Sequence, residues 1–98
     1  MNEEAIKNMR SLKNIGPTCA KYLCDSGIDT PKKLKGLGAK EAFLTMFEVG
    51  TLNALQLHPC YLYALQGAID NVGFNEITEN QKEDFKKFCK ELRASVGG

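Results

Sequence analysis

One histidine, His58, is all the imidazole this 98-residue chain has. It stands beside Pro59 and two residues from Cys60, so a site needing a positioned acid, base and nucleophile has little to draw on. The four cysteines, Cys19, Cys24, Cys60 and Cys89, contain no CxxC spacing, which removes the usual signature of a zinc ribbon or a dithiol redox centre. No apolar run reaches the length of a membrane span. The polar start, MNEEAIKNMRSLK, does not read as a signal peptide, and the expected location is the cytoplasm. No stretch alternates apolar and polar residues cleanly enough to indicate a strand.

Hydrophobic residues make up 43% and charged residues 26%, the balance of an ordinary packed globule, and the length suits one domain over residues 1–98. Formal net charge is only +1, but it is unevenly placed. Residues 1–40 carry a net +4 and residues 41–98 a net −3, so only the first part has the sign to meet phosphate. The cysteines fall mostly within apolar helical patterns, and reduced, buried thiols without disulfides are expected.

Proline, glycine and capping residues divide the chain into about six helical pieces. The first, about 2–12, has Asn2 as a cap, Glu3 and Glu4 in the first turn, and Ile6, Met9 and Leu12 on one face. The second runs from Pro17 to a stop at Gly27, and the third from Thr30-Pro31 to Gly36. The fourth covers about Ala39 to Val49, with Ala42, Phe43, Met46 and Phe47 inward and Gly50 as its stop. Residues 51–57 read as a loop, and a fifth helix from Pro59 buries Leu62, Leu65, Ala68, Ile69 and Val72 and stops at Gly73. The last follows Thr78, with Gln81 completing a capping box, and turns Phe85, Phe88, Cys89 and Leu92 inward. The terminal Ser-Val-Gly-Gly is expected to fray.

An internal repeat crosses two of these junctions. Leu12-Lys13-Asn14-Ile15-Gly16-Pro17-Thr18-Cys19-Ala20 recurs at an offset of 22 residues as Leu34-Lys35-Gly36-Leu37-Gly38-Ala39-Lys40-Glu41-Ala42, keeping Leu, Lys, an apolar residue, Gly and Ala in register. Asn or Gly at the third position tolerates positive φ, the next apolar side chain plugs the gap between helices, and the second Gly allows a tight turn. What stays exposed is a row of backbone N–H groups at the positive end of a helix, suited to a phosphate oxygen. The pattern resembles the helix-hairpin-helix motif of DNA repair and recombination proteins, with Asn14 where that family usually has Gly. The candidate backbone-contact residues are Lys13, Asn14, Ile15, Gly16, Thr18 and Lys21 in the first copy and Lys35, Gly36, Gly38 and Lys40 in the second. Glu41, beside the second copy, repels phosphate.

Beyond this motif, residues 10–92 resemble the C-terminal domain of the TfoX (Sxy) regulators of bacterial natural competence, in its stand-alone form. The resemblance rests on Leu12, Asn14-Ile15-Gly16-Pro17, Ala20, Leu23, Gly27-Ile28, Thr30, Leu34, Leu37-Gly38-Ala39, Ala42 and the stretch Leu62 to Ile69. Gln66 replaces a commonly acidic residue, and Phe74 after Gly73 meets a family aromatic. The resemblance implies an all-α domain with nucleic-acid or protein binding. In the full regulator the activity is transcriptional, exerted with the cyclic-AMP receptor protein at competence promoters.

The expected fold is all-α, a compact domain of five to six helices with two tandem helix-hairpin-helix units of the SAM/helix-hairpin-helix type. The expected function is non-enzymatic, sequence-independent binding of the duplex DNA backbone, linked to transcription or competence. The rival is a protein-interaction or self-associating module in which the hairpins are purely structural and Leu52, Leu55 and Leu57 form a docking patch. No cofactor, metal, membrane or small-molecule substrate is expected. A zinc site from Cys19, Cys24, His58 and Cys60 is disfavoured because positions 19 and 24 do not share a helix face. A Cys-His nucleophilic pair lacks an orienting group. Tyr22, Tyr61 and Tyr63 read as half-buried packers, since no basic residues are interleaved with them. The lysines of the last helix alternate with glutamates as on a solvated face.

Overall fold

The computed structural model describes residues 3–52 and 57–97, the last two without side chains, and every regular element among them is a helix. In chain order these are α1 (Glu3–Arg10), α2 (Pro17–Asp25), α3 (Pro31–Leu37), α4 (Ala39–Glu48), α5 (Pro59–Asp70) and α6 (Glu79–Gly97). The fold is all-α. Proline opens α2, α3 and α5 at the first helical position, where a missing N–H leaves no bond unmade. Thr30 caps α3 by accepting from the Lys33 N–H at 3.1 Å. The expected capping box opens α6: the Gln81 N–H donates to Thr78 Oγ1 at 3.1 Å, and the Thr78 N–H to Gln81 Oε1 at 3.2 Å.

Helix ends bring several corrections. α1 stops at Arg10 rather than Leu12, because the N–H groups of Ser11 and Leu12 turn back to Asn8 and Met9. The proposed cap Asn2 lies outside the described residues. α5 ends at Asp70, not at Gly73: Asn71 takes the left-handed conformation at φ 59 and closes the helix first. At the C-terminus α6 stays helical through Gly97, where fraying was expected.

The core gathers from every helix. Met9, Leu23, Leu34, Phe43, Met46, Leu62, Leu65 and Cys89 have no solvent exposure, each aliphatic or aromatic one contributing roughly 1.5–3 kcal/mol. α1 pairs with α2, and α5 lies centrally against α3, α4 and α6. No polar or charged residue is buried among the described residues. Leu52 and Leu57, expected on an exposed docking patch, are instead core residues at 1% and 0% exposure. They seal the α4–α5 connection because its two ends fold back onto the core; Leu55 lies outside the described residues.

Candidate nucleic-acid interface

The turn between α1 and α2 has the geometry that the first repeat copy predicts. Asn14 adopts φ 70, and Ile15 is buried at 5% exposure between the helices. Gly16 sits at the N-cap of α2 in an extended conformation, with no side chain capping the helix. The N–H groups of Gly16, Thr18 and Cys19 therefore have no acceptor among the described residues. The Ile15 N–H is not part of this row, because it donates to the Leu12 carbonyl at 3.2 Å. Lys13 and Lys21 flank this hairpin in sequence and Lys7 and Arg10 precede it on α1; all four are exposed, and none forms an ion pair among the described residues.

Asn14 itself points inward. Its Nδ2 donates to the Val72 carbonyl at 2.9 Å and reaches the Ala64 carbonyl at 3.5 Å, while its Oδ1 accepts from the Phe74 N–H at 3.1 Å. The side chain thus clasps the end of α5 and the following loop. Gly67 makes room for it: a Cβ there would stand 2.6 Å from the Val72 carbonyl oxygen and on top of Asn14 Nδ2. Phe74, fixed beside the turn through its backbone, keeps its side chain 53% exposed.

The second copy is built differently, which corrects the expectation of two equivalent units. Thr30 and Pro31 start α3 early enough that Gly36 falls in its last turn, in helical conformation. Positive φ moves two residues on, to Gly38 at φ 85, which ends α3 and opens α4 at once. Leu37, expected to plug the gap, is 40% exposed. Lys40 is occupied by an ion pair with Asp84 and lies 5.6 Å from the centre of the Phe88 ring. The 300 Å³ cavity at the start of α4 is lined by Glu41 and Asp84 as well as Lys40, so carboxylates outnumber the cation there. Lys35 is exposed on α3. Of the ten predicted contact residues, Gly16 and Thr18 keep acceptor-free N–H groups among the described residues, and Lys13 and Lys21 are exposed and near them in sequence; Asn14 and Ile15 are turned to structural bonds.

The thiols are more varied than expected. All four are free, but only Cys89 is buried; Cys19 and Cys24 are half-buried and Cys60 is exposed. Burial pushes the Cys19 and Cys89 thiols up to about 11. Cys19 and Cys60 line a cavity of 210 Å³ with Asn14, Tyr61 and Ala64. Cys24 is raised by burial and by Asp29 and Asp25, carboxylates that have no place around that cavity. No three metal-ligating side chains come together among the described residues. His58 occupies the N-cap position of α5 without a capping bond from its side chain. Tyr22, Tyr61 and Tyr63 are half-buried as expected, Tyr61 packing near Phe43 and Tyr63 near Phe85.

The family model of the TfoX C-terminal domain matches residues 5–89. The chain belongs to that family. TfoX C-terminal domains are of regulatory type and are not known as enzymes. Two solved structures, a triclinic and a tetragonal crystal form of an uncharacterised protein of Listeria monocytogenes, are similar to this TfoX C-terminal domain. The triclinic form has 36% identity and a TM-score of 0.75, with 87% of this chain and 92% of that one covered. The tetragonal form has the same identity and TM-score, with 85% of this chain and 98% of that one covered. No curated protein matches. Among the described residues no helix of this TfoX C-terminal domain is long and apolar enough to cross a membrane.

Proposed function

We propose that this TfoX C-terminal domain is a non-enzymatic cytoplasmic module that holds the phosphate backbone of duplex DNA at its α1–α2 hairpin, in the service of transcription or competence regulation. The observation that carries the reading is the uncapped start of α2. Three N–H groups, of Gly16, Thr18 and Cys19, lack acceptors among the described residues, and Lys13 and Lys21, which flank them in sequence, are exposed and form no ion pair there. Backbone N–H groups and lysines recognise phosphate without reading bases, so the binding is independent of sequence and sensitive to salt. The other candidates, Lys35, Gly36, Gly38 and Lys40, drop out of the contact set: Gly36 is helical, and Lys40 is held by Asp84.

Fluorescence anisotropy of labelled random-sequence duplex at low and physiological salt tests this. Two or three phosphate contacts give a log–log salt slope of about −2 to −3. Gly16→Glu places a carboxylate in the row; the site is open, with nothing within 4 Å of a Cβ, and φ is −87, so the fold accepts the change. Binding disappears in that variant, while Lys13→Glu weakens binding and flattens the slope by about 1 or more. A wild-type protein that leaves duplex unbound at low salt overturns the reading and makes the hairpin a structural turn.

A further inference from the structure

Three large apolar side chains are substantially exposed among the described residues, Leu37, Val49 and Phe74. Single exposed apolar residues are ordinary on protein surfaces. Leu37 borders the cavity that holds Glu41 and Asp84, and Val49 follows Glu48 at the end of α4. Phe74 differs in chemistry and in place. It is aromatic, and its own N–H is bonded to Asn14, two residues before the Gly16 that opens the N–H row.

The loop that carries it is held rigid. The Val72 N–H donates to the Gly67 carbonyl at 2.8 Å, the Gly73 N–H to Glu76 Oε1 at 2.7 Å, and the Glu76 N–H to the Gly73 carbonyl at 2.9 Å. Lys82 Nζ reaches the Asn75 carbonyl at 3.3 Å, and Asn14 holds Val72 and Phe74 from the other side. With the backbone tied in this way, only the two side-chain torsions of Phe74 are left for a ligand to order. Aromatic faces beside a cationic backbone groove are how single-stranded nucleic acid is held, one base stacking on the ring while the phosphate meets the cations.

We infer that Phe74 is a stacking platform for an unpaired base next to the phosphate grip, so that the preferred ligand is a duplex carrying a single-stranded end. The inference rests on the backbone-binding reading and narrows its substrate class. Duplex interior cannot use the ring, because its bases are stacked on one another; a frayed or overhanging base can. Glu76 is the acidic residue of this loop, and its carboxylate is engaged by the Gly73 N–H.

The test compares a blunt duplex with the same duplex bearing a short oligothymidine overhang, by anisotropy at low salt. Wild type binds the overhang substrate more tightly by about tenfold, the scale of stacking side chains under alanine substitution. Phe74→Ala removes that preference and leaves blunt-duplex affinity and the melting temperature unchanged. Because the chain contains no tryptophan, Phe74→Trp supplies a single reporter whose fluorescence is quenched by the overhang substrate and not by the blunt one. Equal affinity of wild type for the two substrates, together with an indole signal in Phe74→Trp that does not respond to either, overturns the inference. If Gly16→Glu still abolishes blunt-duplex binding in that case, the backbone reading stands alone; if wild type binds neither substrate, both fall.

Discussion

Gly67→Ala is a strong test of how the α1–α2 turn is held. In an unobstructed helix this change gains about 1 kcal/mol, because alanine is the better helix former. Here Gly67 is interior to α5 and buried, and the added Cβ meets the Val72 carbonyl oxygen at 2.6 Å and collides with Asn14 Nδ2. Asn14 can swing away only by giving up its bonds to Val72 and Ala64, and the Val72 oxygen is backbone and can move only with the loop. Overpacking costs about 1–3 kcal/mol, and carbonyls and an amide deprived of partners cost about 1–3 more. After the helix-propensity gain the net loss is about 1–5 kcal/mol, a fall in melting temperature of roughly 5–40 °C for a domain this size. Thermal unfolding followed by circular dichroism reads it directly. A second arm adds Asn14→Ala: the double variant loses less than the sum of the singles, since the collision then has one partner fewer. A Gly67→Ala protein that melts at or above the wild-type temperature refutes the account of the clasp.

Other outcomes follow from the same geometry. Gly36→Ala raises stability by about 0.5–1 kcal/mol in urea unfolding, because Gly36 is helical with nothing within 4 Å of its Cβ position; a hairpin glycine at positive φ would respond with a loss. Leu57→Ala lowers stability by about 2–5 kcal/mol, the cost of emptying a fully buried leucine site, whereas a docking-patch residue would be near neutral in the isolated domain. Cys19 and Cys89 keep their protons more tightly when folded than unfolded, so their contribution is intact below the ordinary thiol value of 9.0 and is lost as pH rises toward about 11. Urea midpoints measured across that window fall, and Cys19→Ala makes the fall shallower.

Much of this fold is written in local signals. Pro17, Pro31 and Pro59 mark three helix starts, Thr78 with Gln81 marks a fourth, and the inward faces of α4 and α6 follow from 3.6-residue spacing. The repeat is legible as letters, but its two copies differ in backbone: the third position has positive φ at Asn14 and is helical at Gly36. Its match at Lys35-Gly36-Leu37-Gly38 concealed that capping by Thr30 sets the phase of α3 and carries Gly36 into the helix. The stop of α5 was missed because glycine outranks asparagine as a helix terminator, yet Asn71 arrives first along the chain. Leu52 and Leu57 read as loop residues of a docking patch because the 51–57 segment has no periodicity, and their burial depends on tertiary folding-back that no local window contains. The role of Asn14 was half legible: its positive φ could be anticipated, while the partners of its side chain lie 50, 58 and 60 residues away.

Those separations also order events in time. As the chain emerges during synthesis, α1 and α2 appear first, but the amide that fixes their turn has nothing to grasp until Ala64 has been made, and its set of partners is complete only with Phe74. The hairpin is among the earliest parts to be present and among the last to be locked, so substitutions at Asn14 should speed unfolding and leave the folding rate almost untouched.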